Sequence, residues 1–359
     1  MGTLTDYLDW RGDLRFSEIP LGEVDGLILS LIAYMPFEEI VPSPENEGSI
    51  TLLEAMRAYT RINKGKKISL GRFISPELIS MTVRAAKSRR FGGIRLSHYV
   101  NEVDEEAQKQ FSAVTYRVTR DKYFVAYRGT DDTLAGWKES FNMSFMRPIP
   151  GQTAAVEYLQ RSAGAHDGHF YVGGHSKGGN LAVYAAGESF SELGEKLLTV
   201  YNYDGPGFDA EYLEGEQYRK IKERVRTFVP QSSVVGMLLE HEEDYEVIKS
   251  RANGLTQHTG HSWEVLGNGF VHLDTVTEDS KLIDEKLKEW LYGMTVEERE
   301  AFADTIFETV SATNAKTLTE LTSDRIKLVK AWNSLDQKTK SVLLKCVAIL
   351  IKHNAISIK

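Results

Sequence analysis

Residues 169–186 read HFYVGGHSKGGNLAVYAA. Phe170-Tyr171-Val172 has the character of a short buried strand, and Leu181-Ala182-Val183-Tyr184-Ala185-Ala186 predicts a helix rich in small residues. Between them, Gly174-His175-Ser176-Lys177-Gly178 sets a serine where a strand turns straight into a helix. Such a corner is sharp, and a side chain at either flanking glycine would collide with the turn. The bend lifts the hydroxyl clear of the sheet. It also places it at a helix N-terminus, where unpaired N–H groups favour negative charge. A nucleophilic serine needs both. The plain alternative is a glycine-rich turn without chemistry, and the order of acidic and histidine residues downstream weighs against it.

Working outward, strand and helix patterns alternate. Residues 154–162 predict a helix, 170–172 a strand, 180–190 a helix, 197–203 a strand, 210–222 a helix and 225–229 a strand. This alternation predicts right-handed crossovers and a parallel sheet covered on both faces. Upstream, 111–118 and 123–127 predict an antiparallel hairpin. Helical patterns at 17–36, 49–62 and 75–90 precede it, with Pro76 at a tolerated helix start. Beyond about residue 275 only helical patterns remain: 282–292, 296–310 and one long stretch from 318 to about 352. The expected fold is α/β with a mostly parallel central sheet and helices on both faces. Its expected division is a unit over 1–275, opening with helices, and a helical C-terminal extension over 276–359.

The 359 residues are 42% hydrophobic and 26% charged. That is enough apolar material for a large core. A net charge of −8 with interspersed basic residues argues against a nucleic-acid partner. The single cysteine, Cys346, rules out an internal disulfide and fits a reducing compartment. Its apolar setting suggests a small buried side chain rather than a reactive one. The apolar run 27–35 is too short to span a bilayer, and the acidic N-terminus lacks a signal-peptide pattern. The expectation is a cytoplasmic protein without a transmembrane segment. There is no H-E-x-x-H, cysteine pair or P-loop, so neither metal nor cofactor is expected.

A serine hydroxyl needs a base, a group to orient that base, and donors for the oxyanion. Asp204 directly follows the strand 197–203 and precedes Gly205-Pro206-Gly207, a position suited to orienting an imidazole. The alternative is that it stabilises the turn. By chain order His241, His258, His261 and His272 all qualify as the base. His258, in Gln257-His258-Thr259-Gly260-His261, is favoured. One oxyanion donor should be the N–H of Lys177, the residue after the nucleophile. The other is expected from Arg128-Gly129-Thr130, where Thr130 offers an N–H and a hydroxyl.

These motifs resemble a known family. Phe124-Val125-Ala126-Tyr127-Arg128-Gly129-Thr130, then Trp137, then Gly174-His175-Ser176-Lys177-Gly178-Gly179 is similar to the class 3 (fungal-type) lipases. A closer resemblance is to an uncharacterised bacterial family of lipase-like α/β-hydrolases labelled Mbeg-like. It is carried by Tyr7-Leu8-Asp9-Trp10-Arg11-Gly12-Asp13, Tyr203-Asp204-Gly205-Pro206-Gly207-Phe208, residues 234–239 and Gln257-His258, and it covers most of the chain. The resemblance implies an α/β-hydrolase fold with Ser176 as nucleophile and His258 as base. The chain departs from class 3 lipases in two places. Lys177 replaces a leucine. Where their acid follows a later strand, this chain has Pro230-Gln231-Ser232-Ser233. Asp204 instead fits pancreatic-type lipases, with Asp244 in reserve.

The expected reaction is ester cleavage through an acyl-enzyme, on a small-molecule or lipid ester. Acyl transfer or thioester cleavage on the same triad, and a non-catalytic scaffold, are the alternatives. Residues 134–150, with Phe141, Met143, Phe145 and Met146, are read as lid or acyl pocket, and Met237-Leu238-Leu239 as a second apolar wall; core packing is the alternative for both. Lys177 is read as drawing an anionic leaving group or as a surface lysine.

Overall fold

The computed structural model describes residues 1–352 apart from positions 67, 69, 72 and 73; side chains are described as far as Lys345, and at Ala348. The expected burial of Cys346 therefore falls outside the described residues. The strands are β1 (Ile50–Thr51), β2 (Arg95–Asp104), β3 (Lys109–Arg117), β4 (Lys122–Tyr127), β5 (His169–His175), β6 (Leu197–Tyr203), β7 (Val225–Pro230), β8 (Tyr245–Ile248), β9 (Val265–Leu266), β10 (Gly269–Phe270) and β11 (His272–Leu273). The helices before the elbow are α1 (Leu4–Arg11), α2 (Glu23–Ile32), α3 (Leu52–Ile62), α4 (Glu77–Lys87), α5 (Leu134–Asn142) and α6 (Pro150–Ala165). Those after it are α7 (Lys177–Glu188), α8 (Phe190–Leu193), α9 (Ala210–Leu213), α10 (Glu216–Ile221), α11 (Glu278–Tyr292), α12 (Val296–Ser311), α13 (Leu318–Ser323), α14 (Arg325–Ser334) and α15 (Gln337–Lys352).

Nine strands form one sheet in the order β1-β2-β3-β4-β5-β6-β7-β8-β11. The block from β4 to β8 is parallel, and antiparallel strands finish both edges. The inner parallel strands show two apolar faces, as a sheet covered on both sides requires. Phe124, Tyr171, Tyr201, Tyr203 and Phe228 pack with α2, whereas Val125, Val172 and Val200 pack with α6 and α7. On the α2 side the aromatic rings stack across strands, with Tyr203–Phe228 centroids 5.4 Å apart and Tyr201–Tyr203 5.8 Å. Gly26 lets α2 approach closely: a Cβ there would lie 2.3 Å from the Tyr203 hydroxyl, which donates to Glu23 O at 2.5 Å. The fold is thus the expected α/β one.

Differences from the sequence reading have local causes. The long C-terminal helix is broken into α13, α14 and α15, because Asp324 caps α14 through its carboxylate and Asp336 does the same for the N–H of Thr339. The helix expected over 17–36, beginning near Pro20, is α2 and runs from Glu23 to Ile32, with Asp25 reaching back to the Gly22 N–H; α1 ahead of it was not expected. Strands β2 and β8 escaped notice; β2 runs into an exposed edge with polar residues, which masks its period. Among the described residues no helix is long and apolar enough to cross a membrane.

The N-terminal helices are fixed by a buried charge pair. Arg90 binds Asp25 with both Nε and a terminal nitrogen at 2.7 Å, the two side chains each 1% exposed. Tyr7 donates to the same carboxylate at 2.9 Å. Arg90 also donates to the carbonyls of Leu14, Ile19 and Pro20. Removing the arginine strands a buried carboxylate, so Arg90→Met should lower stability by about 3–5 kcal/mol. The Arg84–Asp9 pair is half exposed. There, Arg84→Met should cost about 1 kcal/mol or less. Denaturant unfolding of the two variants checks the contrast.

Candidate active site

Ser176 sits at the corner between β5 and α7 with φ 58° and ψ −137°. L-residues rarely adopt this conformation, which costs on the order of 1–3 kcal/mol. Backbone crowding makes the glycines obligatory. A Cβ on Gly174 would lie 2.2 Å from Gly178 O, and one on Gly178 2.1 Å from Tyr127 O. One strand over, Asp204 follows β6 with φ 52°. Both strained residues are pinned by the sheet: Ser176 N–H donates to Tyr203 O at 2.9 Å, and Asp204 N–H to Phe228 O at 2.8 Å.

Asp204 is fully buried and its carboxylate is fully used. Oδ2 lies 2.6 Å from His258 Nδ1. Oδ1 accepts from Ser233 Oγ at 2.5 Å and from Gly236 N–H at 3.1 Å. A carboxylate accepts only, so this contact puts the proton of a neutral His258 on Nδ1 and leaves the Nε2 lone pair free. The loop after β7, where the class 3 pattern has its acid, supplies the Ser233 hydroxyl to Asp204 instead. Asp244 is exposed just before β8, away from the cavity.

The four histidines sort by partner. His241 contacts Gly236 O and Glu243, and His272 contacts Glu23 and Glu246. His261 lines the same cavity as His258, but its Nδ1 meets Thr259 O at 3.0 Å rather than a carboxylate. Ser176 and His258 both border that cavity, without a direct hydrogen bond between them among the described residues.

His175, beside the serine, was not singled out by the sequence. Burial, with His258 alongside, pushes its imidazole far below the usual range. It is therefore neutral. Its Nε2 is 2.5 Å from the carbonyl of His258 and its Nδ1 3.1 Å from the Tyr34 hydroxyl. A carbonyl only accepts, so Nε2 carries the proton and Nδ1 accepts from Tyr34. Tyr34 in turn accepts from Gly129 N–H at 3.1 Å. This chain of bonds links the segment after β4 that carries Gly129 and Thr130, the elbow and the His258 loop.

Lys177 is buried, not at the surface. Its ammonium donates to Gln110 O at 2.7 Å, Gln110 Oε1 at 2.9 Å and Glu139 Oε2 at 2.5 Å. Glu139, itself unexposed, also accepts from Gln110 N–H and Gly151 N–H. Burial lowers the lysine's pKa while Glu139 pulls the other way. An ammonium engaged in this way does not serve a leaving group. Thr130 Oγ1 is 2.6 Å from Ser140 Oγ, whose own proton goes to Gly136 O. The Thr130 hydroxyl is therefore committed to Ser140, and its N–H is what it can offer. The N–H groups of Thr130 and Lys177 have no acceptor among the described residues, and both residues border the cavity.

The cavity holds about 400 Å³ and its walls are mainly apolar. Trp137, Phe141 and Met143 line it, whereas Phe145 and Met146 do not. Leu238 and Leu239 line it, while Met237 packs into a small core with Val229, Val247 and Val276. A third wall, Leu287, Trp290 and Leu291 of α11, gave no signal in the sequence beyond helical periodicity. Among the described residues one donor group suits a metal, Glu23, Glu246 and His272. Arg226 already bridges its two carboxylates, supplying the positive charge.

No curated protein sequence matches the chain. Solved structures similar to it include the M37 lipase, 14% identical over 60% of this chain and 70% of that one, with a TM-score of 0.38. A lipase from Rhizopus microsporus var. chinensis is 14% identical over 68% and 79%, TM-score 0.35. A mutant form of MDLA from Penicillium cyclopium is 12% identical over 73% and 88%, TM-score 0.36. At such identities and scores the likeness says nothing of chemistry. The Mbeg1-like family model matches residues 85–308, more than half of the chain, and the protein belongs to the Mbeg1-like family.

Proposed function

We propose that the protein is a serine hydrolase that cleaves carboxylic esters through an acyl-enzyme. One observation carries the reading: a serine held at a strained strand–helix corner borders an apolar cavity with a histidine whose far nitrogen is bonded to a buried carboxylate. Ser176 attacks the ester carbonyl and its proton passes to His258 Nε2. Asp204 holds the ring and stabilises the imidazolium that forms. The free N–H groups of Thr130 and Lys177 receive the developing oxyanion. His258 then protonates the departing alkoxide. Water, deprotonated by the same ring, attacks the acyl-enzyme and releases the acid and Ser176.

The cavity lies within the size range of small-molecule sites, and its lining suits a hydrocarbon acyl chain. The reaction as written calls on no metal or cofactor. Residues 1–275 would form the catalytic unit, and 276–359 an extension whose α11 closes one side of the cavity. The single cysteine favours a cytoplasmic setting.

A fluorophosphonate probe should label the wild-type protein and not Ser176→Ala. Absence of labelling in folded wild-type protein would sink the enzymatic reading and leave a scaffold with a hydrolase fold. On a chromogenic short-chain ester, His258→Ala should lower kcat/KM by roughly 10⁴-fold or more, and Asp204→Asn by about 10⁴-fold through loss of the Nδ1–H tautomer. His261→Ala should stay within about tenfold of wild type. The reverse ranking of the two histidines would move the base to His261. Narrowing the cavity with Leu291→Trp should depress kcat/KM on a decanoate ester by about tenfold or more, with acetate nearly unaffected. Equal losses on both esters would place the acyl chain elsewhere.

A further inference from the structure

The last two helices contradict the usual amphipathic arrangement. In α14, Ala331 points inward and is buried, whereas Ile326 and Val329 on the opposite face are 69% and 58% exposed. Trp332 flanks them at 39%, and Leu344 of α15 is 57% exposed. Eight of the sixteen large apolar side chains exposed among the described residues lie between Leu282 and Leu344, so the apolar exposure is concentrated in the helical extension. Scattered exposed apolar residues need no explanation, but a set on one outward helix face does.

Charge says what would cover it. Residues 325–352 contain seven lysines and arginines against one acid, Asp336, a net +6; residues 1–324 carry −15. Lys338 approaches Glu298, but Arg325, Lys327, Lys330 and Lys345 form no ion pair among the described residues. Cations interleaved with exposed aliphatic and tryptophan side chains match the interface of an anionic bilayer. There the lysines meet lipid phosphates and the apolar residues enter the acyl boundary. A nucleic-acid backbone would use the cations and leave Ile326 and Val329 in water. The strongly acidic remainder would be repelled by the same surface, which orients the molecule with these helices inward.

We infer that α14 and α15 form a docking surface for membranes rich in anionic lipid, with Ile326, Val329 and Trp332 as the inserted residues and Arg325 and Lys330 as headgroup contacts. The surface is separate from the cavity, and binding does not depend on the hydrolase reading. Packing of α15 on α11, which walls the cavity, connects the two regions.

The test is flotation of the full-length protein with phosphatidylcholine vesicles, with and without about 30% phosphatidylglycerol, at low and high salt. Wild type should bind the anionic vesicles at least about tenfold more tightly than the neutral ones, and raised salt should weaken binding. Arg325→Gln with Lys330→Gln should lose about 30-fold, at about fivefold per charge. Ile326→Ser with Val329→Ser and Trp332→Ser should lose binding at unchanged charge. Both multiple variants should keep wild-type cleavage of a soluble short-chain ester, and Ser176→Ala should float like wild type, which separates this proposal from the catalytic one. Absence of flotation, equal binding to both vesicle types, or variants that float like wild type would each overturn it. So would loss, in the apolar variant, of a concentration-dependent dimer seen by sedimentation, which would make this face a contact between copies. If a variant fails to fold, the lipid selectivity and salt dependence of wild type still decide.

Discussion

The site depends on one backbone constraint: Ser176 must stay in a conformation that an isolated chain would leave. Nothing in the side chain enforces it. It is enforced by main chain packed against main chain, with Gly174 against Gly178 and Gly178 against β4, and by the hydrogen bond from the Ser176 N–H to the end of β6. The same device repeats at Asp204, held by β7. Two neighbouring parallel strands thus end in two strained residues, and the crossover order that makes the sheet also sets Ser176 and Asp204 at adjacent strand ends. The stacked aromatic rings under β5, β6 and β7 stiffen the platform from beneath.

Much of this was legible because it is local. The corner around Ser176 announces itself in five residues, and the alternation from 154 to 229 follows from period and small-residue content. Asp204 was readable from its place after a strand, and His258 from chain order together with the family resemblance. What escaped depends on approach in three dimensions. No local pattern says that the loop after β7 offers Ser233 to Asp204, that Tyr34 from the end of α2 reaches His175, or that α11 closes the cavity. The Lys177 reading erred for the same reason. At a helix start a lysine looks solvent-facing, and only the arrival of α5 with Glu139 shows where it goes. At Thr130 the sequence offered both an N–H and a hydroxyl, and only the approach of Ser140 shows that the hydroxyl is engaged.

Buried polar groups recur around the site, and four of them are matched across elements. Tyr34, His175, Asp204 and Asn180 all meet donors or acceptors from a different element. Such networks contribute little net stability, because desolvation offsets most of their attraction. Their effect is to favour the arrangement in which these four groups are satisfied. A fold with small strained corners gains from that selectivity, since alternatives that relax Ser176 leave several buried groups unpaired.

The enclosure of Lys177 has a chemical corollary. Under the proposed reaction, a primary amine one residue from the acylated hydroxyl would be a competing acceptor, taking the acyl group to form an amide and inactivating the chain. Here the three N–H bonds of the ammonium are all spent on Gln110 and Glu139. The nitrogen keeps its proton and offers no lone pair. In the proposed reaction the ion pair would act as a chemical guard, leaving water and small diffusible acceptors as the routes out of the intermediate.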